Sequence, residues 1–425
     1  MYEILEYGNR YAKFQNAAID ARDFQSAAII ARDFWEVPCG GRRNPDGRAE
    51  PICLVIMAGK KITLSHNLMG CRLDNWVRLL RENPVSKEHR AQACFMTLVS
   101  AILAIPAFIE WLIFRGPIKR TKLKKDPVYI VGHWRTGTTY LQNLMTRDPQ
   151  FAWFDPLKTI TFNNCILLKP ILKKIIAKFI KGTRAMDNLE YEMNLPMEEV
   201  FAQATISTQA IAHMLVFPDG GRGAKFINTA FTDEQPEKEQ REWLRAYDYV
   251  LKKATYIEHG KQLLLKSPEN TCRIGLLKKR YKGAKFINMY RNPYRVIMST
   301  INMFNKEMSL FCLNDKPTEG FIEDTVIDLF ERVYRKAFKE LYSLPESEYI
   351  DICYEDFCDD PEGNLKKIYK HLGLKGYKKA LPYFKKYIKE QENYQKNEFV
   401  LRDDLREKIN GRMGFYFERY GYEMI

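Results

Sequence analysis

The stretch PVYIVGHWRTGTTYLQNL, residues 127–144, reads as a buried strand, a tight loop and the opening of a helix. Val128, Tyr129, Ile130 and Val131 form a short run of β-branched and aromatic side chains, as an inner strand of a parallel sheet requires. Gly132 ends the run, and Gly137 lets the backbone approach an anion closely. Thr138 and Thr139 then open a helix that continues through Tyr140, Leu141 and Leu144. Backbone N–H groups at such an N-terminus, with the helix dipole behind them, favour a bound anion.

Three more strands follow the same grammar. QLLLK (262–266) ends in Lys266-Ser267-Pro268, and AKFINMY (284–290) ends in Arg291-Asn292-Pro293. Asn292 is placed to cap the next helix, with Pro293 at its first position and the helix running through Ser299 to about Phe304. Tyr349 to Ile352 is the fourth strand, followed by YEDF and the helix of DPEGNLKKIYKHLGL. Strands alternating with helices predict an α/β fold, a central parallel sheet flanked by helices on both faces. Ligands bind off the carboxyl ends of such strands, where Arg135, Lys266 and Arg291 all fall. That convergence predicts one anion-binding site.

Gly132-x4-Gly137 has the outline of a nucleotide-triphosphate P-loop, which continues with Lys and then Ser or Thr. Here Thr138 fills the Lys position and the cation sits inside the loop, at Arg135. The pattern G-x-x-R-[ST]-G-T-T after a strand resembles the 5′-phosphosulfate loop of sulfotransferases that use 3′-phosphoadenosine 5′-phosphosulfate (PAPS). Arg291 and Ser299, spaced R-x7-S, resemble that superfamily's 3′-phosphate motif. Physically, Arg offers a fork of charged donors and Ser one hydroxyl to a single phosphate. The likeness covers roughly 127–372, and LLLKSPEN (263–270) and YEDFCDDPEGNLKKIYKHLGL (354–374) point to the broad, largely bacterial branch. Some gut-bacterial members of that branch act on steroids. Two departures stand out. Residues 400–425 lack the Gly-rich R-K-G motif of cytosolic members, and Asn270 stands where many relatives carry a His shortly after K-S-P.

The resemblance implies PAPS as co-substrate and no metal. Arg135 with Thr136, Gly137, Thr138 and Thr139 would hold the 5′-phosphosulfate, and Arg291 with Ser299 the 3′-phosphate. Lys266 would stabilise the bridging oxygen as it leaves, because sulfuryl transfer needs positioning and charge stabilisation above all. A general base must take the acceptor's proton. Glu198 of P-x-E (196–198) is the first choice, with His133, Glu269 and Asp155 as rivals. Capping of a helix by Glu198 and Glu199, and loop packing by His133, are the competing structural roles.

Outside the loop, Met96 to Phe114 is the most apolar segment and approaches the length of a membrane span, interrupted by Pro106 and Glu110. It reads as an embedded or interfacial helix, followed by the basic run RGPIKRTKLKK (115–125), which suits an anionic leaflet. Ile166 to Lys181 alternates apolar pairs with Lys, as a basic amphipathic helix at a membrane surface or a surface helix packed on the core would. Residues 1–60 form an extension in which AAIDARDF (17–24) recurs as AAIIARDF (27–34). Residues 61–125 are a helical segment, and 126–425 the catalytic domain.

A net charge of +14 over 425 residues suits an anionic ligand, an anionic membrane or nucleic acid, without choosing among them. The nine Cys contain no C-x-x-C and make no ligand pairing with the six His, which predicts mostly buried free thiols. No N-x-[ST] sequon and no signal peptide are visible, which leans towards a cytoplasmic protein, peripheral at the inner membrane face. The resemblance, with the apolar segments at 96–114 and 166–181, implies a sulfotransferase acting on a hydrophobic hydroxyl-bearing acceptor, a lipid or steroid alcohol, with no nucleic-acid partner. A glycan or other small-molecule sulfotransferase is the nearest alternative. A P-loop kinase or NTPase requires a Lys before the Thr pair and an acidic Mg²⁺ ligand at a second strand end. A non-enzymatic basic binding module accounts for the charge but not for the ordered Arg135, Lys266, Arg291 and Ser299.

Overall fold

A computed structural model describes residues 54–57, 60–64, 66–179, 194–218, 223–391 and 399–425. The tandem repeat at 17–34 lies outside them. A two-stranded antiparallel hairpin, β1 (Leu54–Met57) and β2 (Lys60–Thr63), comes first, with Leu54 opposite Thr63. It closes across residue 60, where the sequence suggested a boundary.

The main sheet has five parallel strands, β3 (Val128–Val131), β4 (Phe151–Ala152), β5 (Gln262–Lys266), β6 (Lys285–Tyr290) and β7 (Tyr349–Cys353), in the order β4-β5-β3-β6-β7. Around it run helices α1 (Leu73–Glu82), α2 (Arg90–Arg120), α3 (Thr138–Met145), α4 (Lys169–Phe179), α5 (Glu199–Ala204), α6 (Glu237–Ile257), α7 (Pro293–Phe311), α8 (Glu319–Leu341), α9 (Pro361–His371), α10 (Tyr377–Glu390) and α11 (Asp403–Tyr420). The strand period of two divides β3 between both faces. Tyr129 and Val131 join a cluster with Trp243, Leu251 and Phe286, while Val128 and Ile130 join Leu141, Leu365 and Phe384. Burial on both faces is why β3 carries no alternating polar residue. A third cluster packs Trp76 of α1 and Met96 of α2 with Phe330 and Tyr334 of α8, so residues 61–125 share the core of the rest.

Helix α7 runs to Phe311, well past Phe304, because Phe304 and Met308 pack in that same cluster. Asn292 caps it as expected, its Oδ1 accepting the N–H groups of Tyr294 and Arg295 at 3.1 and 3.4 Å, with Pro293 in the first turn.

Helix α2 is long and apolar enough to cross a membrane by length and composition, its most apolar 18-residue stretch having a mean hydropathy of 2.1. Glu110, in its middle, explains how the helix is held. Its carboxylate pairs with Lys253 of α6 at 2.6 Å, both side chains being 2% exposed, and accepts the N–H groups of Ile166 and Leu167 at 3.0 and 2.7 Å. The Lys253 ammonium also donates to the Phe162 carbonyl. Glu110 is therefore buried against protein, and the stripe Ile102, Ile105, Ile109, Leu112 and Ile113 is the exposed face. In α4 the apolar pairs split, Leu172 and Ile176 packing inward on Leu157 and Cys165 while Ile171 and Ile175 stay exposed.

Removing one partner of the Glu110–Lys253 pair strands a buried charge. Lys253→Met should therefore cost about 3–5 kcal/mol of stability in chemical denaturation, with Glu110→Leu/Lys253→Met recovering most of it.

Candidate active site

The parallel register sets the geometry. Ile130 of β3 lies level with Lys266 of β5, and Val131 level with Asn288 of β6, so the loop after β3 emerges between Lys266 and Arg291. A cleft of about 1360 Å³ opens there. Arg135, Thr138, Lys266, Arg291, Arg295 and Ser299 are among its polar lining, and Met197, Phe201, Met214, Met303, Phe304 and Phe311 among its apolar lining.

The loop is built by three positive-φ residues, Gly132 (+136°), Arg135 (+69°) and Gly137 (+92°). A Cβ on Gly132 would overlap the Met289 carbonyl, and one on Gly137 would overlap the Tyr354 ring. Thr271 clamps the loop's start, its hydroxyl accepting from Gly132 N–H at 2.8 Å and donating to Gly132 C=O at 3.0 Å. The Arg135 Nε donates to Ser299 Oγ at 2.9 Å, and an Arg291 Nη donates to the Arg135 carbonyl at 3.2 Å. The three residues, drawn from two separate motifs, thus meet in one contact chain. The Arg291 guanidinium lies 4.2 Å over the Tyr354 ring, and its buried Nε has no hydrogen-bond partner among the described residues. The Tyr416 hydroxyl, from α11, donates to the Arg291 carbonyl at 2.9 Å, so the segment without an R-K-G motif steadies Arg291 instead.

Across the cleft, Lys266 forms an ion pair with Glu198. Glu198 occupies the N-cap position of α5 but makes no side-chain cap, so its carboxylate is directed at Lys266 instead of its own helix. The strap before it is fixed by Met197 N–H on the Phe154 carbonyl at 2.7 Å. Glu199 points the other way. Its buried carboxylate accepts from Tyr247 at 3.0 Å and from Asn270 at 2.6 Å, and burial raises its pKa against those bonds. Asn270 therefore holds Glu199 in place. Glu269 lines the cleft with its carboxyl buried. Burial pushes its pKa up to about 8 against Arg273, and the Glu198 and Glu199 carboxylates add to the rise.

Three expected site residues stand apart from the cleft. His133 is fully buried, its ring on Phe330 and Tyr334 and its Nδ1 donating to the Trp134 carbonyl at 3.1 Å. Burial lowers its pKa to about 4, so a neutral ring packs behind the loop instead of meeting a substrate. Asp155 caps the helix Pro156–Ile160 through Lys158 N–H at 2.8 Å and pairs with the Lys158 ammonium at 3.2 Å. Thr136 is turned into the loop, its N–H and hydroxyl both on the His133 carbonyl, at 3.3 and 2.8 Å. The sequence reading missed Thr271, Tyr354, Arg295 and Tyr416. Tyr354 and Arg295 follow strand ends and were open to the same rule that found Lys266, whereas Thr271 and Tyr416 carry no local signal.

Comparison with known proteins bears on this arrangement. Residues 127–378 match the sequence model described as the sulfotransferase family. The omega-hydroxy-beta-dihydromenaquinone-9 sulfotransferase Stf3 of Mycobacterium bovis is 27% identical over 360 residues, 84% of this chain and 91% of that protein. The crystal structure of sulfotransferase STF9 from Mycobacterium avium superposes with a TM-score of 0.60 at 17% identity, covering 82% of this chain and 90% of the other. That of STF1 from Mycobacterium tuberculosis gives 0.56 at 15% identity, covering 80% and 91%. At those identities the structures share the fold.

Two outcomes test the local physics. Gly137→Ala should destabilise the fold by about 1–3 kcal/mol, through positive φ and collision with Tyr354, and Tyr354→Ala should relieve only the collision in a double-mutant cycle. Glu269, with its folded pKa above the unfolded value, favours the fold when protonated, so that contribution is lost as pH rises towards 8. Between pH 6.5 and 8 wild type should lose about 1–2 kcal/mol more than Glu269→Gln in denaturant titrations.

Proposed function

Within the sulfotransferase family, to which this chain belongs, we propose that it moves a sulfuryl group from PAPS to the hydroxyl of a lipid alcohol. The observation that carries this reading is the chain of contacts from Ser299 through Arg135 to Arg291, facing Lys266 and Glu198 in one cleft. Cations at the ends of β3, β5 and β6 suit a doubly anionic nucleotide. The buried Arg291 Nε is a charged donor lacking an acceptor, which a phosphate oxygen would supply.

Arg135 and the N–H groups of Gly137, Thr138 and Thr139 would take the 5′-phosphosulfate, at the start of α3. Arg291 and Ser299 would take the 3′-phosphate, with Arg295, exposed on the same wall, as a further cation. When bound, the donor supplies a sulfonate whose S–O bond to the 5′-phosphate breaks as the acceptor oxygen bonds to sulfur. Lys266 stabilises the negative charge that develops on the leaving oxygen. Glu198 accepts the acceptor's proton. Their ion pair holds both groups at the transfer point, and dividing it between leaving oxygen and acceptor leaves each its own task. Burial and the Glu198 and Glu199 carboxylates push Glu269 towards its neutral form, which spares Glu198 a like charge.

Two observations support a lipid or steroid alcohol over a glycan. The acceptor side is walled by Phe201, Met214, Met303 and Phe304, and the name of the mycobacterial relative specifies an omega-hydroxylated dihydromenaquinone. The same reading sets the enzyme peripherally at the cytoplasmic face of a membrane, where such acceptors reside.

The test is transfer of ³⁵S from labelled PAPS to a panel of prenyl and sterol alcohols, phenols and glycans. Label should appear on an apolar alcohol. Glu198→Gln should lower kcat by about 10²–10⁴ with donor binding retained, and Lys266→Ala should lower transfer by a similar factor. A wild-type chain that does not bind PAPS would overturn the reading, and full transfer by Glu198→Gln would remove that residue as base.

A further inference from the structure

We propose that the outward stripe of α2, together with the outer edge of α4, is a membrane-docking surface that lies in the plane of an anionic leaflet. This rests on the peripheral, lipid-directed reading above and gives it a surface and a geometry. Ile102, Ile105, Ile109, Leu112 and Ile113 recur at helical spacing on one side of α2, with Ile102 62% and Ile105 70% exposed. The other side, with Met96, Ala104 and Glu110, is buried in the body. Single exposed apolar residues are ordinary, whereas a stripe of five β-branched and leucine side chains along one helix is not.

The tether at Glu110 decides how the helix meets a bilayer. Its carboxylate, paired with Lys253 and bonded to the N–H groups of Ile166 and Leu167, pins α2 at that point to α6 and ties it to the segment leading into α4. Crossing a bilayer would require tearing α2 from that partner and carrying Glu110 into hydrocarbon. Lying flat requires neither, because the apolar stripe already faces outward. On α4, Ile171 and Ile175 present a second apolar edge among the exposed Lys169, Lys173 and Lys174.

Charge selects the occupant. Directly after the stripe come the exposed Lys119, Arg120, Lys122, Lys124 and Lys125. Apolar side chains beside a basic run complement a leaflet carrying anionic headgroups. The chain therefore sits on the membrane.

The test is co-sedimentation of the full chain with phosphatidylcholine vesicles, with and without phosphatidylglycerol, a binding readout that needs no PAPS. Wild type should pellet with the anionic vesicles and be released by high salt or alkaline carbonate. Ile105→Glu/Leu112→Glu should weaken binding more than about tenfold, since two apolar anchors are lost. Lys122→Glu/Lys124→Glu should weaken it on anionic vesicles alone. Both variants should keep the wild-type circular dichroism and ³⁵S transfer to a short, detergent-dispersed alcohol, so failed docking is distinguishable from failed catalysis. Equal binding by Ile105→Glu/Leu112→Glu overturns the proposal, as does absence of vesicle binding by the folded wild type. Retention through carbonate, which marks a spanning helix, also overturns it. So does a sedimenting dimer that only the stripe variant dissociates, which assigns the face to a second copy.

Discussion

Arg135 holds a backbone conformation, φ +69°, that costs a residue with a side chain about 1–2 kcal/mol, and the cleft's polar wall depends on its being held there. Its Nε reaches Ser299 on α7, while its carbonyl receives the guanidinium of Arg291 from the end of β6. An extended backbone at this position would break both contacts. The tight loop also brings Gly137 against Tyr354 at the end of β7, so three strand ends are registered through one turn. Strain at a site is sustained only where the surroundings over-determine it, and here β3, β6, β7 and α7 all converge on the loop.

The acidic side of the cleft is governed by burial. The Glu198 and Glu199 carboxylates both act on Glu269, yet each of the three acids has a different environment. Glu198 keeps the salt bridge, Glu199 is absorbed by Tyr247 and Asn270, and Glu269 is driven towards its neutral form. Desolvation disfavours the charged carboxylate, so neighbouring acids separate into distinct tasks. An Asn at position 270 is well suited to this, because its amide donates to Glu199 without adding a titrating group.

Helix α2 shows how one charged residue can fix an ambiguous segment. By composition it passes for a membrane span, and its interruptions at Pro106 and Glu110 leave the question open. In the fold, Glu110 meets Lys253 and two backbone N–H groups, and that satisfied buried cluster pins one face to protein. The remaining apolar side is left outward because Glu110 can be satisfied only inward.

The alternation of β3, β5, β6 and β7 with helices, the inner-strand character of β3 and the convergence of Arg135, Lys266, Arg291 and Ser299 were legible in the sequence, whereas the two-residue β4 was not. Each depends on local pattern: apolar runs, glycine position, and the rule that parallel strands present their carboxyl ends to a ligand. Roles set by contact across long stretches of chain were not. Whether Glu198 caps its helix or meets Lys266, whether His133 faces the cleft or the core, and whether Asp155 is available or bound to Lys158 depend on partners brought together by folding. Thr271 clamping Gly132 and Tyr416 steadying Arg291 join residues more than a hundred positions apart. The hairpin β1–β2 was missed because two four-residue strands carry too little periodicity to register. The sequence by itself determined the fold class, the loop and the cations. The tertiary structure decided which acid faces Lys266, because burial and hydrogen-bond satisfaction are properties of the packed chain and not of any segment of it.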